Sequence, residues 1–333
     1  MHNGIKATVG IVIFLFGCGG YQDYQYYKYT DVGITDTRVI PANLSWAEID
    51  TNGDGVNENY LTSIKQQPCG DCYIYAATAL YEIQYNIDHK TSINIDLSEQ
   101  NIHNCLRIPC GLSGSPFHVL RYINEIGVLE ENVVSTGSWG DCDNCKSKIG
   151  WLKQSQLTYF KHKRTIQLDC GIPYEQKKKI FVDALQKGPI AVLISRWNDY
   201  KKYGDIFTCV KTERKSAGHA VVIVGYEAYG NIFIIKNSHN DNGLLRVAFN
   251  EGDKCGFAVD ATIIEGTYTE FGTGEDFCYM GEDPDNDGVA NPFDNCPRHY
   301  NPNQSNLDFD FYGDACDPCP VIGGHPKDGC SQE

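Results

Sequence analysis

The sequence has little positive charge and no apolar run long enough to cross a membrane. Its 28 lysines and arginines compare with 43 aspartates and glutamates, which gives a formal net charge of −15. Because nucleic-acid binding relies on basic side chains, a nucleic-acid partner is not expected. The apolar run at residues 7–16 is shorter than the roughly 20 residues that a membrane-spanning helix needs. The excess of acidic residues is concentrated in residues 270–333, which hold 14 acidic and two basic residues, a net charge of −12.

The N-terminal residues indicate export rather than a membrane span. Lys6 followed by a short apolar run is typical of an export signal, which we place at residues 1–17. The end of that run, Leu15 to Cys18, resembles a bacterial lipobox, although Phe16 departs from the small residue usual there. That resemblance implies lipidation of Cys18 and tethering to the cell envelope or outer surface. The alternative is an ordinary cleaved signal and a secreted protein.

The 15 cysteines are interpreted in the light of export. In an exported chain they predict a disulfide framework. Three C-x-x-C pairs occur, at Cys69/Cys72, Cys142/Cys145 and Cys316/Cys319. In a cytosolic protein, such pairs would indicate zinc binding. For the first pair, redox cycling is a further alternative.

The order of predicted elements indicates an α+β fold. Apolar spacing predicts helices at residues 72–87, 116–126 and 175–187, and short alternating runs such as "IAVLIS" and "HAVVIVGY" then predict strands. Helices first and strands later is an α+β layout. We predict a linker at 18–39, an enzyme domain at 40–268 and a tail at 269–333. The tail has no hydrophobic periodicity, so it cannot form an ordinary core.

Three blocks of the enzyme domain resemble the papain-like cysteine proteases. "CGDCY" places Cys72 at the start of a helix, "GHAVVIVGY" places His219 147 residues later, and "IIKNS" places Asn237 another 18 on. The resemblance extends to "IPANLSW" at residues 40–46, "LSEQNIHNC" at 97–105 and the late Cys255-Gly256. It covers roughly residues 40–266 and implies the two-lobed papain-like fold, with a helical lobe and a β-rich lobe.

The resemblance also implies the roles of the site residues. Cys72 is the nucleophile, His219 pairs with it and protonates the leaving amine, and Asn237 orients the imidazole. Gln67 or Gln66 supplies an oxyanion-hole donor beside the Cys72 backbone N–H, and the two alternatives remain open. The substrates are peptides or proteins, and catalysis needs no cofactor. The cleft is lined by "GSPF", with Gly114 and Pro116.

Departures from the family pattern keep other functions open. Asp71 replaces a small residue beside the nucleophile and should raise the pKa of Cys72. Tyr73 replaces the commoner Trp, and His239 stands where a Trp usually shields the Asn. An inactive papain-fold binding or adhesion protein, and an amidase acting on cell-wall peptides, are therefore alternatives.

About 22 residues separate Cys18 from Ile40, fewer than the family's inhibitory propeptide needs. We expect export itself or an inhibitor in trans to control activity.

The resemblance divides the cysteines and leaves Cys72 free. The implied pairs are Cys69–Cys110, Cys209–Cys255, and Cys105 with either Cys142 or Cys145. In the tail, a separate resemblance to the thrombospondin type 3 repeat implies the pair Cys296–Cys316.

Two acidic loops in the tail carry that second resemblance and predict structural Ca²⁺. Oxygen-bearing side chains recur with the spacing of calcium loops, and Gly288 takes the turn position of the first loop. A disordered acidic tail is the alternative. The predicted ligands are Asp283, Asp285, Asp287, Asn291 and Asp294 in the first loop, and Asn306, Asp308, Asp310, Asp314 and Asp317 in the second.

A third, incomplete loop lies at the entrance to the enzyme domain. Residues 50–61 offer Asp50, Asn52, Asp54 and Glu58, but Leu61 occupies the twelfth position. A calcium-stabilised insertion and a simple Gly-Asn turn remain open.

Overall fold

The structure is a computed structural model, and it describes most of the enzyme domain and short parts of the tail. The described residues are 40–68, 70–106, 114–134, 156–168, 174–210, 218–239, 243–249, 255–273, 284–287, 294–296, 298–302, 305, 313–318 and 320. The predicted signal and linker therefore lie outside the described residues.

The described elements are four α-helices, two short 3₁₀ turns and a nine-stranded sheet. The helices are α1 (Cys72–His89), α2 (Glu99–Leu106), α3 (Pro116–Glu125) and α4 (Tyr174–Leu185). The strands are β1 (Leu44–Ser45), β2 (Gln156–Gln167), β3 (Ile190–Ile194), β4 (Tyr200–Tyr203), β5 (Ile206–Cys209), β6 (His219–Glu227), β7 (Ile232–Asn237), β8 (Gly243–Ala248) and β9 (Asp260–Thr273). The predicted α+β class is confirmed.

Helix α1 is the central helix of the domain. Most of its side chains are buried, including Ile74, Leu80, Tyr81 and Ile83. It packs against β6 and α3, and it ends where Lys90 adopts the left-handed conformation and donates its N–H to the last carbonyls. None of the described helices is long and apolar enough to cross a bilayer.

The sheet runs in the order β2-β9-β3-β6-β7-β8-β5-β4, with β1 paired to β6. Strands β6, β7 and β8 are antiparallel neighbours, so the start of β6 and the end of β7 lie at the same end of the sheet. A bulge at Ile223/Gly225 interrupts the register of β6. A Cβ atom at Gly225 would lie 2.3 Å from the carbonyl oxygen of Leu44, so glycine is needed where β1 pairs with β6.

The end of the domain differs from the prediction. Strand β9 runs to Thr273 and pairs along its length with β2, so the folded domain passes the predicted boundary at residue 268. Residues 269–273 carry few apolar side chains, and their hydrogen-bonded ladder with β2, rather than burial, keeps them in the sheet.

Candidate active site

Cys72 lies at the first position of α1, where the positive end of the helix dipole favours a thiolate. It is the free cysteine of the described part of the chain, and it is partly buried. Its Sγ accepts a hydrogen bond from the backbone N–H of Ala220, at 3.3 Å. This contact joins the N-terminus of α1 to the start of β6, directly beside His219.

His219 and Asn237 meet because β6 begins where β7 ends. The His219 Nε2 and Asn237 Oδ1 atoms are 2.7 Å apart, and both side chains are buried. The Asn237 amide also donates to the carbonyl of His239, at 2.7 Å. This second bond fixes the direction of the amide, which in turn fixes the imidazole. The structure therefore brings together Cys72, His219 and Asn237.

Burial holds the thiol and the imidazole in their neutral forms. It raises the pKa of Cys72 to about 11, and the nearby Asp71 carboxylate adds to this. Burial also lowers the pKa of His219 to about 4; the bond to Asn237 opposes this shift, and His239 adds to it. The ion pair implied by the resemblance is therefore not the favoured resting state of this geometry. A neutral imidazole can still accept the thiol proton as the sulfur attacks.

The structure distinguishes the two candidate oxyanion donors. Gln67 is buried, whereas Gln66 is exposed. The Gln67 backbone N–H donates to the carbonyl of Ser238 at 2.8 Å, and its Oε1 accepts from the Ser238 hydroxyl at 2.9 Å. Oε1 is an acceptor, and the donor group of the amide is Nε2. Gln67 is therefore held against the residue that follows Asn237, whereas Gln66 faces solvent, and Gln67 is the candidate that this position favours.

The residues next to the nucleophile are tightly packed. Asp71 is 1% exposed, and neither of its carboxylate oxygens has a hydrogen-bond partner in another residue, so burial raises its pKa to about 6. A Cβ atom on Gly114 would lie 2.5 Å from the ring of Tyr73, so only glycine fits there. Pro116 begins α3, and Ser115 caps that helix by accepting the N–H of Phe117.

Two aromatic rings flank the imidazole of His219. The His239 ring is 5.9 Å from it between centroids, in the position where the family usually has Trp. The Trp197 ring is closer, at 5.2 Å. Sequence analysis missed Trp197, because it lies in a short turn between strands with no motif around it.

A buried ionic cluster beneath the site was also missed. Lys65 Nζ binds Glu82 at 2.8 Å and Glu99 at 3.0 Å, and both carboxylates are almost fully buried. Thr62 donates to Glu82 and accepts from Lys236, the residue before Asn237. The cluster therefore links the segment before Gln67, helices α1 and α2, and strand β7. The sequence signals were Lys65 itself and the glutamate of "LSEQ".

Two of the predicted disulfides are present, Cys209–Cys255 and Cys296–Cys316. Cys105 is also disulfide-bonded. The remaining predicted pairing residues, Cys69, Cys110, Cys142 and Cys145, lie outside the described residues, as does Cys18.

The described part of the tail contains a cluster of carboxylates. Asp285, Asp287 and Asp294 each place an oxygen within 4.8 Å of the others, and the last two are buried. Of the second loop, Asp314 and Asp317 are described. The other predicted calcium ligands, Asp283, Asn291, Asn306, Asp308 and Asp310, lie outside the described residues.

The loop at the domain entrance also brings three carboxylates together, from Asp50, Asp54 and Glu58. The Asp50 oxygens already accept the backbone N–H groups of Gly55 and Gly53, and these bonds, from Gly55 most strongly, lower its pKa. A turn without an ion needs the same bonds, so the loop still supports both interpretations.

Comparisons with known proteins identify relatives of the domain. The model of the papain family cysteine proteases matches residues 47–264. A cathepsin L-like proteinase of Fasciola hepatica is 24% identical over 292 residues, which are 79% of this chain and 82% of the relative. Cathepsin L2 of Homo sapiens is 24% identical over 245 residues, which are 67% of this chain and 65% of the relative.

One solved structure supports the fold. Digestive procathepsin L 3 of the Tenebrio molitor larval midgut matches 72% of this chain and 73% of its own, with a TM-score of 0.51 and 21% identity. At this identity the match shows the fold alone, and the predicted papain-like α+β arrangement is confirmed.

Proposed function

Since the chain belongs to the papain family of cysteine proteases, we propose that it is an endopeptidase in which Cys72, His219 and Asn237 cleave peptide bonds. The observation that carries the proposal is the contact of His219 Nε2 with Asn237 Oδ1 at 2.7 Å, beside a free cysteine at a helix N-terminus. Peptides or proteins are the substrates, and Gly114 and Pro116 border the cleft that binds them.

In the acylation step, His219 accepts the thiol proton while the sulfur attacks the scissile carbonyl carbon. The resulting oxyanion accepts hydrogen bonds from the Cys72 backbone N–H and from Gln67 Nε2. His219 then gives the proton to the leaving amine, and the C–N bond breaks. Asn237 keeps the imidazole in the orientation that serves both transfers.

In the deacylation step, His219 accepts a proton from water, whose oxygen attacks the thioester carbon. The C–S bond then breaks, and Cys72 recovers the proton from His219. Both steps use the same imidazole, so a single Asn237–His219 bond orients the complete reaction.

The test is covalent labelling with an active-site-directed epoxide, followed by peptide mapping. We expect one adduct, on Cys72, which is absent in Cys72→Ala and at least tenfold slower to form in His219→Ala. His89→Ala is the matched control, because His89 is an exposed histidine on the same helix as Cys72. Labelling of another cysteine in the folded protein would contradict the proposal.

A second candidate is a weakly active or inactive binding protein. The buried Asp71 favours it, since its charge adds to the burial that holds Cys72 as a thiol. Folded protein that shows no Cys72 adduct, and no cleavage of casein or of a mixed peptide library, would favour this candidate.

We also propose that the protein is exported and tethered by lipid on Cys18. Disulfides in both the enzyme domain and the tail support export, because such bonds persist in oxidising compartments. Mass spectrometry of the native protein should find an acylated N-terminal Cys18. A mature chain that begins elsewhere would contradict tethering and leave secretion.

The tail is proposed as a calcium-binding module of the thrombospondin type 3 kind. The residues fit a hard cation: three carboxylates converge, and Asp285 Oδ2 is buried without a hydrogen bond. One oxygen of Asp294 and one of Asp287 are held by backbone N–H groups, since Cys296 donates to Asp294 at 2.7 Å and Asn301 to Asp287 at 3.0 Å. Ca²⁺ would neutralise the repulsion among them. Calorimetric titration of the chelator-treated protein with Ca²⁺ is the test.

A further inference from the structure

An aromatic cluster extends from the catalytic imidazole to the β4–β5 hairpin. The Trp197 and His219 rings have centroids 5.2 Å apart at an angle of 46°. Trp197 also stacks on Tyr200, at 5.7 Å, and on Phe207, at 6.3 Å. Trp197 is half-buried, so part of its indole still faces solvent next to the active site.

The turn that carries Trp197 is held from three directions. Arg196 binds Asp199 at 2.6 Å across the turn, and Asp199 is buried. The backbone N–H of Arg196 donates to the carbonyl of Cys255 at 3.1 Å. Cys255 is bonded in turn to Cys209, at the end of the hairpin. A ring on so firmly fixed a turn is pre-organised for binding, because little side-chain freedom is lost when a ligand contacts it.

The chemistry of the reaction decides which part of the substrate meets this ring. His219 must reach the nitrogen of the leaving amine to protonate it, so the chain that begins at this nitrogen passes the imidazole. The acyl part of the substrate lies on the other side, over Cys72 and the oxyanion donors. A half-exposed indole in contact with the imidazole therefore borders the leaving-group side.

We propose that Trp197 determines specificity on the leaving-group side: its indole binds the side chain of the first residue after the scissile bond and favours aromatic and large aliphatic side chains. The inference rests on the proposed function, and it assigns that function a substrate preference. The solvent-facing ring area lost in Trp197→Ala is what such a side chain would contact.

The test uses the full chain and internally quenched peptides that differ only in the residue after the scissile bond, which is Phe, Leu, Gly or Asp. We expect wild-type kcat/KM to be at least tenfold higher for Phe than for Gly. Trp197→Ala should reduce that ratio by about tenfold, and Trp197→Phe should restore most of it. Tyr203→Ala is the matched control, because Tyr203 is a 62% exposed aromatic residue on the same hairpin. The Phe/Gly ratio of kcat/KM for Tyr203→Ala should match that of wild type.

Acyl transfer isolates the leaving-group side from the rest of the cleft. An acyl-enzyme made from an ester substrate is divided between water and an added amine, phenylalaninamide or glycinamide. The amine nitrogen attacks the thioester carbon, the C–S bond breaks, and the amine proton passes to His219. Wild type should prefer phenylalaninamide, and Trp197→Ala should lose this preference, measured as the ratio of the two amide products.

The outcomes separate the two proposals. Failure of the epoxide to label wild-type Cys72 would overturn the proposed function, and this inference with it. Normal labelling together with an unchanged Phe/Gly ratio in Trp197→Ala would overturn the inference alone. An equal loss on all four peptides would also overturn it, since packing alone then accounts for Trp197. Labelling rates confirm that each variant is folded before ratios are compared.

Discussion

The carboxylate of Asp71 is buried directly before Cys72 in the chain, without a hydrogen bond from another residue. Burial of the thiol and the charge of this carboxylate together raise the pKa of Cys72 to about 11. Since burial raises the pKa of Asp71 itself to about 6, the carboxylate is charged at neutral pH and protonated in mild acid. The sequence predicted the direction of this effect, and the structure supplies its pH range.

Asp71→Asn should therefore make Cys72 more reactive at neutral pH. Removing the charge lowers the pKa of the thiol, so alkylation by iodoacetamide at pH 7.5 should be about tenfold faster than in wild type. Below pH 5, where Asp71 is already protonated, the two rates should converge. Glu48→Gln, which removes an exposed charge, is the control and should change neither rate. A pH-independent ratio would contradict the assignment to Asp71.

Asp71 should also make stability depend on pH. Its folded pKa of about 6 lies above the unfolded value of 3.8, so the folded state binds the proton more tightly. The contribution of this group to stability is complete below pH 3.8 and is lost as pH rises through 6. Asp71→Asn removes that loss, and its free energy of unfolding at pH 7.5 should exceed wild type by about 1–3 kcal/mol. Urea unfolding should show little difference at pH 4.

The local features of the site could be predicted from the sequence, whereas the long-range ones could not. Cys72 and helix α1 follow from a motif and a periodic pattern, and α1 ends within two residues of the predicted residue 87. The choice between Gln66 and Gln67 could not be made, because it depends on a bond to Ser238, which is 171 residues away. Trp197 was missed for a similar reason, since its contact with the His219 ring leaves no trace in the neighbouring sequence.

The two longest strands show the same limit. Strands β2 and β9 hold few continuous apolar residues, and what defines them is their ladder of pairs from Gln156–Thr273 to Gln167–Thr262. A pattern read along one segment does not show a partner that lies a hundred residues away. Strand β9 therefore continues five residues beyond the boundary predicted at residue 268.

The buried ionic cluster should be essential for stability. Lys65→Met would leave Glu82 and Glu99 buried without their cation, and we expect a loss of about 3–5 kcal/mol in the free energy of unfolding. Urea unfolding at pH 7 measures this loss. Arg164→Met is the matched control, because it breaks an exposed pair with Glu265 and should cost about 1 kcal/mol or less. Equal losses would show that burial of the cluster is unimportant.

His239 should tune the catalytic imidazole. Burial is the main cause of the low pKa of His219, and the electrostatic effect of His239 lowers it further. His239→Trp removes this effect, so the pKa of His219 should rise. NMR titration of labelled histidine in a Cys72→Ala background measures it, with His89→Ala identifying one of the other signals. An unchanged pKa would leave His239 as a packing residue.

Calcium should order the tail without controlling the active site. Asp285, Asp287 and Asp294 converge, and a bound Ca²⁺ would offset their mutual repulsion. In the full chain, a chelator should therefore speed proteolysis after residue 273 by about tenfold or more, and added Ca²⁺ should reverse this. The rate of Cys72 labelling should change less than twofold.

Substitution of the ligands tests whether these carboxylates are the cause. Asp287→Asn should raise the Ca²⁺ concentration needed for protection, because it removes a buried charged ligand.

Asp54→Asn, at the entrance loop, decides whether that loop is a calcium site or a simple turn. If this loop is a simple turn, Ca²⁺ will not change the melting temperature of a chain that ends at Thr273, and Asp54→Asn will melt at the same temperature as the parent. If the loop binds an ion, Ca²⁺ will raise the melting temperature of the shortened chain, and Asp54→Asn will abolish the rise. Tail proteolysis that is insensitive to both chelator and Asp287→Asn would contradict a calcium site and leave Cys296–Cys316 as the main constraint on the tail.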